Sequence, residues 1–152
     1  MEAITYQNMC EKLVEAIPSL KINYAKELKW WDGKNPGPHN IYGDVLNPYI
    51  EELVKFKNQK SDELKLIFEF LEKLATHEDE KVRNVLQATV CEQITGNGLY
   101  SHLKKYMGKE TLSLTHEIAN YWGHPLEKGE GDGSPSREQK GKGTVPQRGQ
   151  DK

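Results

Sequence analysis

Long hydrophobic runs are missing from this sequence of 152 residues, of which hydrophobic residues make up 36%. No apolar stretch approaches the ~18 residues that a membrane-spanning helix requires. The first 20 residues are amphipathic and acidic, and they lack the charged start and apolar stretch of a signal peptide. We therefore expect a cytoplasmic protein that is not embedded in a membrane.

Cysteine is also scarce, since Cys10 and Cys91 are the two cysteines of the chain. Each falls at an apolar position in a helical pattern. Nothing in the sequence suggests the disulfide framework of a small secreted protein, which uses several paired cysteines in place of a large core. We interpret both residues as reduced thiols in the core.

Sequence motifs for catalysis are absent as well: there is no phosphate-binding loop, dinucleotide-binding fingerprint or nucleophile elbow. His116 opens a segment similar to the zinc-protease helix motif, but Asn120 stands where the second histidine is required. His77 precedes three acidic residues at 78–80, a pattern typical of carboxylates at a helix N-terminus, where the helix dipole favours negative charge. We predict no enzyme activity, catalytic residues, metal site or cofactor.

Apolar residues are rarest near the C-terminal end of the sequence. Between residues 125 and 152 the only aliphatic residues are Leu126 and Val145, while six of the 13 glycines and three of the seven prolines lie there. Such a segment cannot bury enough apolar surface to offset its conformational entropy. We predict a helical domain over residues 1–124 and a disordered tail, rich in glycine, proline and charge, over residues 125–152.

A strong charge of one sign is lacking too. Residues 1–124 contain 15 lysines and arginines against 18 aspartates and glutamates, which gives a net charge of −3. An overall basic field of the kind that recruits nucleic acid or anionic membranes is therefore absent. We expect a protein as the partner, and neither nucleic acid nor a membrane.

What the sequence does contain is apolar residues at three- and four-residue spacing, whereas the alternation typical of strands is nearly absent. The pattern predicts an all-α fold, and the segment 61–75 is apolar on two sides, so we expect it at the centre. A short turn at 76–79 predicts an antiparallel helix hairpin. About seven helices are predicted, over residues 5–17, 19–31, 45–57, 61–75, 79–96, 99–107 and 110–122.

The start of the third helix has two interpretations. Asn47 can serve as the N-cap, with Pro48 at the first helical position, where proline is favoured. Asp44 can instead cap an earlier start, with Pro48 inside the first turn. Both interpretations leave residues 32–40, which contain two prolines and two glycines, as a loop.

The segment 29–44 sets aromatic residues on both sides of that loop, in the sequence KWWDGKNPGPHNIYGD. Aromatic side chains dominate the hot spots of protein interfaces. The alternative is that the two tryptophans only pin the loop to the body of the protein. The residues predicted to contact a partner are Trp30, Trp31, Asp32, His39, Tyr42 and Asp44.

The hairpin over residues 61–94 resembles a HEAT-type repeat, because its second helix opens with DEKVR at 79–83. The resemblance implies that Asp79 caps the helix and that Val82 packs inward. A HEAT solenoid needs about three stacked repeats, and the sequence shows no others. The predicted architecture is a stack of antiparallel helix hairpins, either HEAT-like or an irregular bundle.

A second resemblance covers residues 8–122, through an amphipathic first helix, the motif IYGD at 41–44, the motif DEKVRN at 79–84 and a closing helix. In this order they resemble a family of small helical bacterial proteins of unknown function that often lie beside polymorphic-toxin genes. That resemblance implies an immunity protein that neutralises its cognate toxin by occlusion. The alternative is a HEAT-like adaptor with another protein partner, and an enzyme with an unrecognised site comes third.

The composition of the tail makes a direct prediction about stability. Ending the chain after Pro125 should leave the melting temperature nearly unchanged, because the deleted residues contribute almost nothing to the core. Thermal unfolding of the full-length and shortened proteins, followed by circular dichroism, measures this. A fall of more than about 4 °C, which corresponds to roughly 1 kcal/mol, would show that the tail packs on the domain.

Overall fold

The computed structural model describes residues 2–56 and 61–126, and within them the chain forms helices and no strand. The predicted all-α fold is confirmed. Residues 127–152 of the predicted tail lie outside the described part, whereas Leu126 packs against the core. The helices are α1 (Met9–Ala16), α2 (Lys21–Trp31), α3 (37–55), α4 (Ser61–Ala75), α5 (80–96), α6 (100–106) and α7 (Lys109–Tyr121).

Helix α1 begins later than its apolar spacing predicts, at Met9 rather than near Thr5. Thr5 and Asn8 form a closed turn ahead of it: the Thr5 N–H donates to Asn8 Oδ1 at 2.7 Å, and the Asn8 N–H donates to Thr5 Oγ1 at 3.1 Å. These two bonds satisfy polar groups outside the helix and so favour a turn over a further helical turn. Pro18 ends α1 as predicted and opens a single 3₁₀ turn that leads into α2.

Helix α4 lies at the centre of the bundle, as the two apolar stripes of its sequence predict. It packs against α1, α3, α5, α6 and α7. The second stripe is only half buried, because Phe70 lies in the core while Leu66 is 40% exposed. The buried residues of α4 are Leu64, Ile67, Phe68, Phe70, Leu71, Leu74 and Ala75.

Helix α3 begins at Gly37, so both predicted starts are wrong and the loop shrinks to residues 32–36. Pro48 lies in the interior of this helix, where its ring would collide with the carbonyl four residues back in regular α geometry. The segment Tyr42–Leu46 forms a π turn instead, in which the Asn47 N–H donates to the Tyr42 carbonyl five residues back. This wider turn lets the helix continue through the proline.

Helix α5 contains a second π turn, Leu86–Cys91, and the two π turns pack against each other. Thr89 lies at the contact: its carbonyl accepts from the buried amide of Asn47 at 3.2 Å, and its hydroxyl bonds His39 Nδ1 at 2.7 Å. Gly43 lies at the same contact, where an added Cβ would sit 3.4 Å from the Thr89 methyl group, an ordinary van der Waals distance. These polar contacts fix the register between α3 and α5.

Glu72 of α4 holds the start of α7. Its carboxylate accepts from the backbone N–H groups of Glu110 and Thr111, both at 2.9 Å, and from the Thr111 hydroxyl at 2.8 Å. Burial acts to raise the pKa of Glu72, but these three hydrogen bonds outweigh it and hold the pKa below its ordinary value. A Cβ at Gly108 would overlap the carboxyl group, so glycine leaves the space that this cap occupies.

The central position of α4 predicts a large effect for Leu71→Ala. Leu71 is fully buried, and truncating a buried leucine removes about 2–5 kcal/mol from the free energy of unfolding. Urea denaturation measures the loss. Leu66→Ala, on the same helix but partly exposed, is the matched control and should cost less than about 1 kcal/mol. Equal losses in the two variants would contradict the central placement of α4.

The Glu72 cap predicts a stability that depends on pH. Its pKa in the folded protein lies below the ordinary value of 4.5. The cap therefore stabilises the fold fully above that value, and the stabilisation is lost as the pH falls through the lowered pKa. Glu72→Gln keeps the side-chain size but removes the charge, so at neutral pH it should cost about 1–2 kcal/mol, as for a lost helix cap.

Urea denaturation of Glu72→Gln and the wild type across a pH series tests this. The difference in free energy between them should be constant near neutral pH and shrink below pH 4.5, where the wild type loses its charge. Glu69→Gln, exposed on the same helix, is the control and should show little difference at any pH. A difference for Glu72→Gln that does not change with pH would contradict the proposed cap.

Candidate functional site

The two adjacent tryptophans at the end of α2 have different environments. Trp30 is 75% exposed. Trp31 is half-buried, and its indole Nε1 donates to Glu27 Oε2 at 3.0 Å. Their rings meet edge to face, with centroids 5.6 Å apart. The two tryptophans thus differ in exposure: Trp31 is half-buried and bonded to its own helix, whereas Trp30 is open to solvent.

Asp44 lies next to the Trp31 contact. It is exposed, in the π turn of α3. Burial raises the pKa of Glu27, and the nearby carboxylate of Asp44 raises it further, while the bond from Trp31 acts in the opposite direction. The structure therefore brings Trp31, Glu27 and Asp44 together where α2 meets α3.

Tyr42 does not belong to this surface, contrary to the sequence prediction. Its side chain is fully buried, and its hydroxyl donates to the Met9 carbonyl oxygen at 2.7 Å. Burial raises the pKa of Tyr42 well above its ordinary value. The cause is the early start of α3, which turns residue 42 toward α1. Tyr42 is a core residue and offers nothing to a partner.

Asp32 and His39 are both exposed, but Asp32 lies at the end of α2 whereas His39 contacts α5. Asp32 follows α2 in the left-handed conformation, with φ +50°. Aspartate tolerates this conformation better than most residues, and here it ends the helix beside the tryptophans. The ring of His39 bonds the Thr89 hydroxyl. His39 is therefore directed toward α5 and apart from the Trp31–Asp44 cluster.

A groove of about 560 Å³ lies between α1, α2 and the turn before α3. Glu11 and Lys34 add one charge of each sign to its lining. The sequence does not predict it, because Tyr24 and Leu28 occupy apolar helical positions, and spacing alone does not show which of these stay uncovered. No residue of α2 is fully buried. The apolar and aromatic side of the groove consists of Tyr6, Cys10, Tyr24, Leu28, Pro36 and Pro38.

Both cysteines are free, as predicted. Burial raises the pKa of Cys10, which lines the groove, to about 12, and the charge of Glu11 adds to the effect. Burial also raises the pKa of Cys91 to about 12, and Cys91 Sγ accepts a hydrogen bond from the Thr115 hydroxyl at 3.2 Å. Each is a protonated thiol at neutral pH, and a thiol is a far weaker nucleophile than a thiolate.

A family model described as a domain of unknown function, DUF7674, matches residues 10–123, which is most of the chain. The protein belongs to this family. The predicted membership of a family of unknown function is thus confirmed. The match includes α2, Trp30 and Trp31, and most residues that line the groove. No curated protein and no solved structure matches the chain.

In this DUF7674 domain, side chains of the acidic turn at 77–80 form hydrogen bonds with nearby backbone groups. The Asp79 N–H donates to His77 Nδ1 at 2.9 Å, so His77 Nε2 carries the proton that binds the Ile4 carbonyl at 2.7 Å. Asp79 Oδ1 accepts from the Lys81 N–H at 2.9 Å, and Arg83 donates to the His77 carbonyl at 2.7 Å. Capping explains the motif, as predicted.

Metal binding and membrane spanning can be judged only within residues 2–56 and 61–126. There, no three histidine, cysteine, aspartate or glutamate side chains come close enough together to hold a metal ion. In the same part of the DUF7674 domain, no helix has the length and apolar character needed to cross a bilayer. The α2 surface, defined by Trp30, Trp31 and Asp32 at the end of α2, is the candidate site because it exposes an indole beside a groove.

Proposed function

We propose that this DUF7674 domain is a non-enzymatic protein-binding domain, and that it acts as an immunity protein which neutralises a bacterial toxin by occluding it. The observation that carries the proposal is the exposed indole of Trp30, held on Trp31 at the end of a helix that borders a groove.

The local structure favours binding by Trp30 because the ring is already positioned. Trp31 holds it edge to face, and Glu27 in turn holds Trp31. A side chain fixed before binding loses less conformational entropy when a partner covers it. Tryptophan is also among the residues most enriched in interface hot spots. The proposed contact surface is therefore Trp30 with Asp32 at the end of α2, next to Trp31 and Asp44.

The step from protein binding to toxin neutralisation comes from the family resemblance. The IYGD and DEKVRN motifs resemble those of small helical proteins that often accompany polymorphic-toxin genes. An immunity protein acts without chemistry of its own, because covering the active site of the toxin or displacing its substrate is sufficient. Such occlusion depends on shape and charge complementarity, which a rigid helix end beside a groove can supply.

A HEAT-like adaptor is the second candidate, and the α4–α5 hairpin favours it. Asp79 caps α5 and Val82 is fully buried beneath it, as the resemblance to a HEAT-type repeat implies. An adaptor would bind a partner that is harmless to the cell. The growth of cells that produce the partner, compared with and without the domain, therefore separates the two candidates.

The experiment is co-expression with the product of a toxin gene that adjoins the gene for this domain. The full-length domain should restore growth and form a stable complex with that toxin. Trp30→Ala should weaken the complex by about 2 kcal/mol or more, the threshold for a hot spot, as measured by calorimetry. Tyr121→Ala is the matched control, since this aromatic residue of α7 is 73% exposed and lies outside the proposed surface.

Three results decide the proposal. Restored growth that depends on Trp30 supports an immunity role. A stable complex with a harmless partner, without any protection from the toxin, transfers the domain to the adaptor class. Full affinity in Trp30→Ala, with the fold intact by circular dichroism, excludes the α2 surface as the binding site.

A further inference from the structure

The outer face of α2 combines exposed apolar side chains with exposed lysines. Ile22, Lys26, Lys29 and Trp30 follow one another at spacings of four, three and one, which places them on one stripe of the helix. All four are exposed, and the two apolar members, Ile22 and Trp30, are 70% and 75% exposed. This stripe, called the α2 stripe below, faces away from the body of the domain.

The charge of this region is opposite to that of the domain around it. Residues 21–34 contain four lysines and two acidic residues, whereas residues 1–124 as a whole carry a net charge of −3. Of the two acidic residues, Glu27 is half-buried and bonded to Trp31, on the inner side of α2. The α2 stripe itself carries only positive charge, from Lys26 and Lys29. It is a basic face on an acidic protein.

We propose that the α2 stripe docks on an acidic protein surface. Ile22 and Trp30 are about 12 Å apart along the helix, from the rise of ~1.5 Å per residue, and they serve as the two apolar anchors. Lys26 and Lys29 lie between them and meet carboxylates of the partner. This inference deepens the proposed function, and it rests on the protein-binding part of that function and not on toxin neutralisation.

A protein fits the α2 stripe better than the other anionic surfaces do. Phosphate backbones are recognised by cationic and hydrogen-bonding groups, which gives the aliphatic side chain of Ile22 no role. Anionic membranes attract proteins through clusters of several basic residues, but the stripe has two lysines and the surrounding domain is acidic. Protein interfaces combine an apolar core with a polar rim, and the stripe offers apolar side chains in Ile22 and Trp30 and charged ones in Lys26 and Lys29.

The test places a photo-crosslinking amino acid, p-benzoylphenylalanine, at position 22 of the full-length protein in the cells that normally produce it. The same amino acid at position 121, an exposed site on α7, is the control. Mass spectrometry then identifies the cross-linked molecule and the peptide at the contact. We expect a protein cross-linked from position 22 and not from position 121, through a peptide with more Asp and Glu than Lys and Arg.

Charge reversal supplies the second measurement. Lys26→Glu with Lys29→Glu should reduce the yield of this cross-link about tenfold, because like charges oppose encounter and docking. Lys65→Glu with Lys73→Glu makes the same charge change on two exposed lysines of α4 and should leave the yield nearly unchanged. Circular dichroism confirms that each variant is folded.

The inference is overturned by a cross-link to nucleic acid or lipid, by a contact peptide without an acidic excess, by no cross-link above the control, or by an unchanged yield after charge reversal at positions 26 and 29. The proposed immunity function is tested separately, by the growth experiment. An acidic partner found here, without protection in the growth experiment, supports this inference and removes the immunity role. Protection from the toxin without an acidic contact at position 22 overturns this inference and supports the immunity role.

Discussion

Pro48 imposes the constraint on which much of this domain depends. It lies in the interior of α3, has no N–H to donate and would clash with the carbonyl of Asp44 in a regular α-helix. The π turn at 42–46 resolves the clash and lets one helix run over residues 37–55. The same turn brings Gly43 close to Thr89 and lets the amide of Asn47 reach the Thr89 carbonyl. A local backbone problem thus sets the packing of α3 on α5.

The candidate site follows from the same arrangement. Because α3 starts at Gly37, the connection from α2 is only five residues long, and it holds the end of α2 close to the start of α3. Tyr42 is thereby directed into the core and His39 toward Thr89. The helix α2 is left on the outside, with Tyr24 packed against the core and its stripe directed to solvent.

Much of the fold could be predicted from the sequence because its signals are local. Apolar spacing identifies the helices, Pro18 ends α1 and Asp79 caps α5. The start of α3 could not be predicted, since the proline and glycine residues at 33–38 indicate a loop, although Pro38 is favourable in a first helical turn. The π turn of α5 has no local signal, because the contacts around it are made with α3, which lies far away in the sequence.

The candidate site was predictable only in part, and the reason is the same at each residue. An aromatic side chain near a loop can lie on either side of the surface, and tertiary packing decides which: Trp30 is exposed, Trp31 is half-buried and Tyr42 is in the core. The exposure of Ile22 and Leu28 could not be read from helical spacing either, since spacing gives the direction of a face and not what covers it.

The position of α2 also depends on the distortion in α3, through Asp44. This residue belongs to the π turn, and its carboxylate lies close to Glu27, which binds Trp31. The π turn of α3 therefore packs against α2 near the pair of tryptophans. The position of Trp30 thus depends on the contacts that α2 makes with α3 and not on burial of the indole itself.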